Sequence, residues 1–139
     1  MSGQPVSLAP VPRGLLLLAH GARDPAWALP FRAVAARIAS ARPALRVELA
    51  FLEFMAPSLS DAGHALAHAG CTVVDVVPLF LGGGGHVRRD VPPLVAQLCA
   101  GHPGCDFRLH PAAGEADRVI DALAGAALDA VDLPALPLP

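Results

Sequence analysis

Short apolar segments alternate with amphipathic segments along the central part of the chain. Residues 14–19 (GLLLLA) form a continuous apolar run, which is typical of a strand buried on both faces of a sheet. Residues 46–52, 72–81 and 105–110 have the length and apolar character of three further strands. A segment with helical spacing of apolar residues follows each of them. The pattern therefore predicts four consecutive strand–helix units.

The four predicted helices cover residues 24–41, 57–70, 86–101 and 115–130. Asp24 and Pro25 have the character of a helix cap and first turn, and Pro30 is expected to bend or restart the first helix. Pro78 indicates that regular pairing of the third strand stops near its end. Asp75 is unusual inside an apolar strand, and a hydrogen bond or an edge position would explain it.

This order of elements predicts a doubly wound α/β fold, in which a mainly parallel four-stranded sheet carries helices on both faces. We expect the flavodoxin-like strand order 2-1-3-4. A single domain is predicted for residues 13–131. Residues 1–12 and 132–139 are rich in proline and lack periodicity, so they are predicted to be disordered tails.

Composition excludes several classes of function. The net charge is −2, and the ten basic residues are all arginines scattered along the chain, which argues against nucleic-acid binding. No apolar run approaches the roughly 20 residues of a membrane span, so no membrane association is expected. The three cysteines form no C-x-x-C pair, and an odd number of them suits a reducing compartment. We therefore expect a cytoplasmic protein.

Candidate chemistry lies where the predicted strands end. Ligands of open parallel sheets bind outside the carboxyl ends of the strands. His20 follows the first strand, Glu53 the second and His86 the third, and neighbouring strands lie only about 4.8 Å apart. Neutral imidazoles suit Co²⁺, Fe²⁺ and Ni²⁺, and a carboxylate can accept protons. His20, Glu53 and His86 therefore form a constellation of metal-competent side chains and are the candidates for catalysis and metal binding, although the sequence does not say which histidine is a ligand and which is a base.

A run of four glycines precedes His86 and needs a separate explanation. These residues are Gly82, Gly83, Gly84 and Gly85. The run matches neither the P-loop nor the dinucleotide-binding pattern, so a phosphate cradle is weakly supported. A backbone without side chains would instead let a flat ligand approach closely. Arg88 and Arg89 follow, and with Arg23 they could hold carboxylates or phosphates, unless they are simply solvated.

Other potential ligands lie outside this edge. Cys99, His102 and Cys105 have C-x2-H-x2-C spacing, which is not a standard zinc pattern, so buried thiols and a loop histidine are expected. His64 and His68 are four residues apart on the second predicted helix, where an exposed face is expected.

Three segments together resemble the sirohydrochlorin chelatase family in its small single-domain form, the CbiX type. They are LLLLAHGARDPAW, FLEFMAPSL and VVPLFLGGGGHVRRDVP, and the resemblance extends from about residue 14 to about residue 129. His20 and His86 match the metal-handling histidines of the family, and Glu53 matches its acidic residue. Ala22 departs from the pattern, since many members have serine there.

The resemblance implies insertion of Co²⁺ or Fe²⁺, or alternatively Ni²⁺, into sirohydrochlorin, in cobalamin or sirohaem biosynthesis. The metal would be a substrate, and no organic cofactor is expected. Arg23, the four glycines, Arg88 and Arg89 would then bind the macrocycle. A flat ring as wide as this edge also predicts a homodimer with facing edges. The apolar residues near this edge are candidates for lining the cleft between the copies or its rim: Phe54, Met55, Leu79 and Phe80. The alternatives are a non-catalytic metal or tetrapyrrole carrier, and a flavodoxin-like phospho-ligand binder.

Overall fold

The computed structural model describes residues 11–82 and 84–139, apart from the side chain of His86. Four strands and four α-helices alternate along the chain, with two short 3-10 helices between them. In chain order the elements are β1 (Arg13–Ala19), a 3-10 turn (Pro25–Ala28), α1 (Leu29–Ala41), β2 (Leu45–Phe51), α2 (Leu59–His68), β3 (Val73–Pro78), α3 (Gly85–Gly101), β4 (Asp106–Leu109), a second 3-10 turn (Ala113–Glu115) and α4 (Asp117–Val131).

The four strands form one parallel sheet of order β2-β1-β3-β4, as predicted. β1 lies between β2 and β3, with Ala19 opposite Phe51 and Leu18 opposite Pro78. Its uninterrupted apolar sequence follows from this central position, because both of its faces are covered by helices. The carboxyl ends of β1, β2 and β3 consequently meet at one edge of the sheet.

The helices cover the two faces of the sheet unequally. α2 and α3 pack on the face that presents Leu16, Leu18 and Val76, where most of the buried side chains lie. α1 covers the other face, where a smaller cluster forms around Ala19, Ala28 and Phe51. α4 has no buried residue, and its apolar residues Ile120, Leu123, Leu128 and Val131 are about half exposed or more.

Each helix begins at a different residue from the one expected, and short 3-10 turns precede α1 and α4, which start at Leu29 and Asp117. α2 begins at Leu59, because the Ser58 hydroxyl accepts a hydrogen bond from the Asp61 amide and thereby caps the helix. α3 starts at Gly85 and continues through Pro92 and Pro93. Both prolines lie on the exposed side of α3, where water can satisfy the carbonyl groups that lose their partners. No helix within residues 11–82 and 84–139 is long and apolar enough to cross a membrane.

The predicted domain limits remain an expectation. The regular elements run from Arg13 to Val131, while residues 1–10 of the first predicted tail lie outside the described part of the chain.

Asp75 has two hydrogen-bonded partners, Arg13 at the start of β1 and His110 just after β4, which explains its place in β3. Arg13 donates to Asp75 Oδ2 through Nε at 3.1 Å and Nη2 at 2.9 Å, and His110 Nε2 lies 2.7 Å from Asp75 Oδ1. Partial burial alone would raise the pKa of Asp75. The hydrogen bonds from His110 and Arg13, together with their charges, outweigh that effect and hold the pKa below its usual value.

Replacing Asp75 with asparagine is expected to lower the free energy of unfolding at pH 7 by about 1–3 kcal/mol. A carboxyl group whose pKa is depressed in the folded protein stabilises it above the unfolded-state pKa of about 3.9, and this stabilisation is lost as the pH falls through the folded value. Urea unfolding between pH 3 and 7 should therefore show a weaker acid dependence in Asp75→Asn. The control is Asp106→Asn, since the Asp106–Arg108 pair is more than half exposed on both sides. An unchanged acid dependence in Asp75→Asn would contradict this account.

Candidate functional site

The backbone of the first two strands continues to pair beyond their ends and thereby fixes two candidate residues. The Leu52 amide donates to the Ala19 carbonyl at 3.0 Å, and the Glu53 amide donates to the His20 carbonyl at 3.0 Å. His20 and Glu53 are consequently direct neighbours, although 33 positions separate them in the sequence (53 − 20 = 33). Both side chains are exposed. The predicted convergence of His20 and Glu53 is thus present in the structure.

A cavity of about 290 Å³ lies between these residues and the start of α3. It is lined by His20, Leu52, Glu53, Val87, Asp90 and Leu94. Sequence analysis did not single out Asp90. The sequence does place Asp90 four residues after His86, and on one helix this spacing puts both residues on the same side of α3. The cavity therefore offers an imidazole and two carboxylates at the edge of the sheet.

His86 itself can be placed only by its backbone. His86 is the second residue of α3 and directly precedes Val87, which lines this cavity. The side chain of His86 lies outside the described part of the structure, as does Gly83. The prediction that His86 shares the site with His20 therefore stays a prediction.

Gly21 is a second residue that the sequence analysis missed. Its φ is +89°, a conformation that favours glycine, and a β-carbon at this position would collide with the carbonyl oxygen of Glu53. Gly21 therefore permits the close approach between the loop after β1 and the loop after β2. The sequence shows Gly21 within the segment AHGARDP, but nothing in the sequence indicates that Gly21 contacts Glu53.

The described glycines of the run face open space. A β-carbon at Gly82, Gly84 or Gly85 would meet no atom within 4 Å, and none of the three has a positive φ. Neither packing nor backbone conformation therefore requires glycine at these positions. A requirement from outside the chain, such as the approach of a flat ligand, accounts for them better.

Phe80 has a different role from the one expected of it. It was a candidate for lining a cleft between two copies, together with Phe54, Met55 and Leu79. Phe80 is only 5% exposed and belongs to the main core, where its ring centroid lies 4.5 Å from that of His20. Met55 packs against the smaller core cluster, whereas Phe54 is 59% exposed. The buried Phe80 ring thus packs against the imidazole of His20.

The three predicted arginines do not lie together. The Arg23 guanidinium lies 5.1 Å from the centroid of the Phe54 ring. Arg88 lines a separate cavity of about 320 Å³, and its Nη2 is 3.7 Å from Glu115 Oε1. Arg89 is exposed on α3. The arginines are thus spread around the edge, an arrangement that suits a ligand with several separated anionic groups.

The cysteines do not form a metal site with His102. Cys105 is buried in the core, and the Cys99 thiol lies 3.6 Å from the Phe107 carbonyl oxygen. Burial raises the pKa of the Cys105 thiol, so it stays protonated near neutral pH. Within residues 11–82 and 84–139, His86 aside, no three histidine, cysteine or acidic side chains are arranged to hold a metal ion.

Comparison with known proteins supports these assignments at the level of the family. The CbiX family model matches residues 14–130. A protein named sirohydrochlorin cobaltochelatase from Saccharolobus solfataricus is 38% identical over 84 residues, which cover 59% of this chain and 62% of that protein. The match thus spans about three fifths of the relative's length.

Two solved structures share the fold. A CbiX protein assigned to cobalamin (vitamin B12) biosynthesis, from Marinobacter aquaeolei VT8, superposes with a TM-score of 0.78 at 30% identity, covering 87% of this chain and 98% of that one. The sirohydrochlorin chelatase SirB from Bacillus subtilis subspecies spizizenii, solved in complex with cobalt, gives a TM-score of 0.70 at 24% identity. That match covers 85% of this chain and 50% of SirB.

The parallel sheet of order β2-β1-β3-β4, with its polar groups at the carboxyl edge, places this protein among the doubly wound α/β domains that bind ligands at strand ends. Since the family model covers nearly all of the regular structure, the chain belongs to the CbiX family.

Proposed function

We propose that this protein is a sirohydrochlorin chelatase, which inserts Co²⁺ or Fe²⁺ into sirohydrochlorin in cobalamin or sirohaem biosynthesis. The observation that carries the proposal is the juxtaposition of His20 and Glu53 beside glycines that the fold itself does not require. The names of the relatives and membership in the CbiX family support it. Insertion exchanges metal-bound water for pyrrole nitrogens, so the metal ion is a substrate and no organic cofactor is needed.

In this proposal His20 and His86 hold the incoming ion. Neutral imidazole binds Co²⁺ and Fe²⁺, and the absence of thiolates leaves the ion free to depart into the ring. Two pyrrole N–H protons must leave during insertion. Glu53, whose backbone pairs with that of His20, would accept them one at a time and release the first to solvent before it takes the second. Asp90 lines the same cavity and adds negative charge that attracts the divalent ion.

The open glycines provide the wall for the macrocycle. With no side chain at Gly82, Gly84 or Gly85, a flat ring can lie against the backbone next to the cavity. We assign the same role to Gly83 from its place in the run. Arg23, Arg88 and Arg89 would hold the carboxylate arms of the ring.

Replacing Arg88 and Arg89 together with alanine is expected to raise KM about tenfold or more and to change kcat little. Peripheral carboxylates are bound similarly in the ground state and the transition state, so their loss weakens both equally. Steady-state kinetics with sirohydrochlorin would measure this. The control is Arg42→Ala, an exposed arginine that follows α1 at the opposite edge of the sheet. A loss confined to kcat would place the pair in the chemistry instead.

The decisive experiment mixes the purified protein with sirohydrochlorin and Co²⁺ or Fe²⁺ and follows the absorption of the ring over time. A chelatase accelerates the change over the protein-free reaction and turns over repeatedly. A carrier binds metal or ring stoichiometrically without turnover. A phospho-ligand binder is retained by nucleotide or flavin and does not affect metal insertion. Either of the last two outcomes would overturn the proposal.

A homodimer with facing edges is also part of this proposal. The cavity beside His20 has a volume of only about 290 Å³, at the lower end of the range for small-molecule sites, so one copy is too small to enclose a large ring alone. Phe54 and Leu81 remain 59% and 69% exposed near this edge, as expected for residues that a partner covers. The fold also matches one half of the longer SirB chain. We further propose a cytoplasmic location, on the basis of the unpaired cysteines.

Replacing Phe54 and Leu81 with aspartate is expected to convert the dimer to monomer at micromolar concentration, since each charge would be buried without a partner. Sedimentation velocity would measure the shift. Leu128→Asp on α4 is the matched control, because Leu128 is 69% exposed on a different surface. If Leu128→Asp dissociated the dimer and the edge variants did not, the copies would associate through α4. A fully active monomer would refute the shared site.

A further inference from the structure

Three histidines cluster at the edge of the sheet opposite to the proposed active site. His64 and His68 lie on α2, and His102 follows the last residue of α3. Their surroundings form an open cavity of about 460 Å³ at the amino ends of β3 and β4, also lined by Gly70, Thr72 and Pro103. His20, in contrast, follows the carboxyl end of the seven-residue strand β1.

Close packing of α2 against α3 brings two of these histidines together. A β-carbon at Gly63 would come within 2.6 Å of Leu98 Cδ2, so the two helices approach each other at the point where Gly63 has no side chain. His64 is the next residue on α2, and His102 lies four positions after Leu98. The His102 backbone is held on both sides, since its amide donates to Leu98 at 3.0 Å and its carbonyl accepts from Cys105 at 2.9 Å.

The two imidazoles have a separation that matches coordination of a metal ion. His64 Nδ1 lies 3.4 Å from His102 Nε2, and the ring centroids are 5.1 Å apart. This is longer than the range of about 2.7–3.2 Å for a good N–H hydrogen bond. Two nitrogens bound at about 2.0–2.1 Å to one tetrahedral ion lie about 3.3–3.4 Å from each other. A small turn of each ring about its second side-chain torsion would aim both lone pairs at one ion.

His68 is a third imidazole within reach. It is four residues after His64 on the same helix, a spacing at which two histidines can bind one metal ion. Its ring centroid is 6.1 Å from that of His64. No three described side chains are already arranged for a metal, so His64 and His102 supply the first two contacts and His68 must move to add the third. Cys71 and Cys105 also border the cavity, but both are buried in the core.

We propose that His64 and His102, assisted by His68, form a second binding site for a divalent transition-metal ion, separate from the site of insertion. The ligand is Co²⁺, Ni²⁺, Fe²⁺ or Zn²⁺, which favour imidazole nitrogen. Each neutral imidazole carries one proton, so His64 would bind through Nδ1 and His102 through Nε2 as the tautomers that hold that proton on the other ring nitrogen. Solvent supplies the remaining ligands, because the cavity is open. The site thus holds a readily exchangeable ion on a surface away from the tetrapyrrole.

The test uses the full chain carrying His20→Ala and His86→Ala, so that the proposed insertion site contributes no binding. Equilibrium dialysis against Co²⁺ alone should show one bound ion per chain. Adding His64→Ala or His102→Ala should weaken this binding at least about tenfold, since even the loss of indirect partners of a metal ligand costs about 10–100-fold. Adding His68→Ala should have a smaller effect. His110→Ala is the matched control, because His110 contacts Asp75 and not this cluster.

A second measurement identifies the ligands directly. Zn²⁺ should shift the imidazole ¹⁵N resonances of His64 and His102 together, and leave that of His110 unchanged. If an alanine variant fails to fold, as judged by circular dichroism, His64→Gln or His102→Gln replaces it. Absence of Co²⁺ binding by the His20→Ala, His86→Ala protein would overturn the proposal, as would binding unaffected by His64 and His102. Because no tetrapyrrole is present, these outcomes are independent of whether the protein proves to be a chelatase.

Discussion

Replacing His20 with alanine is expected to reduce the rate of metal insertion at least about a hundredfold, the usual range for a directly acting acid–base or ligand side chain. The His20 imidazole is the proposed metal ligand next to Glu53, and the hydrogen bond between the two backbones keeps these residues together. Stability should change little, because His20 is exposed, although its ring contacts that of the buried Phe80. Initial rates with sirohydrochlorin and Co²⁺, together with urea unfolding, measure the two effects separately.

The control for this substitution is His110→Ala, a histidine at the end of β4 whose ring nitrogen contacts Asp75. It should lose some stability and keep its insertion rate. If His20→Ala retained near-normal turnover, His20 would have no part in the chemistry, and the proposed site would have to be abandoned. Loss of activity with a matching loss of folded protein would show instead that His20 acts only by supporting Phe80.

Replacing Gly21 with alanine is expected to destabilise the fold by about 3 kcal/mol or more. Alanine is strained at a φ of +89°, and its β-carbon would collide with the backbone carbonyl of Glu53, which cannot move as a flexible side chain can. The fraction of the variant that still folds should also be less active, because Glu53 must move away from His20 to avoid the new β-carbon. Urea unfolding and insertion rates at a temperature where the variant is folded measure both.

Gly125→Ala on α4 provides the comparison. A β-carbon there meets no atom within 4 Å, and alanine in a helix is favoured over glycine by about 1 kcal/mol, so this variant should be as stable as the parent or slightly more stable. Equal stability of Gly21→Ala and the parent would show that the loop can open without cost. The proposed coupling between the two loops would then be wrong.

The parallel pairing of the sheet and the edge that carries the proposed site were predictable from local patterns, whereas the strand order was expected by analogy with flavodoxin-like sheets. The uninterrupted apolar run of β1 is typical of a central strand, and the alternation of strands and helices leaves parallel pairing as the expected arrangement. Because parallel strands share one carboxyl edge, His20 and Glu53 could be placed together before any coordinates were considered. The role of Pro92 and Pro93 was harder to predict, since their tolerance in α3 depends on which side of the helix is exposed.

The sequence alone determines which chemical groups are available in this protein. Imidazole and carboxylate groups follow the buried strands, and a run of glycines directly precedes one of the imidazoles. Contacts between distant positions were decided only by the tertiary structure. Gly21 against the Glu53 carbonyl, Asp75 between Arg13 and His110, and His64 against His102 each join segments that no local period relates. Periodicity indicates which side of an element is buried. These contacts depend instead on how elements distant in the sequence pack against each other, to within a few tenths of an ångström.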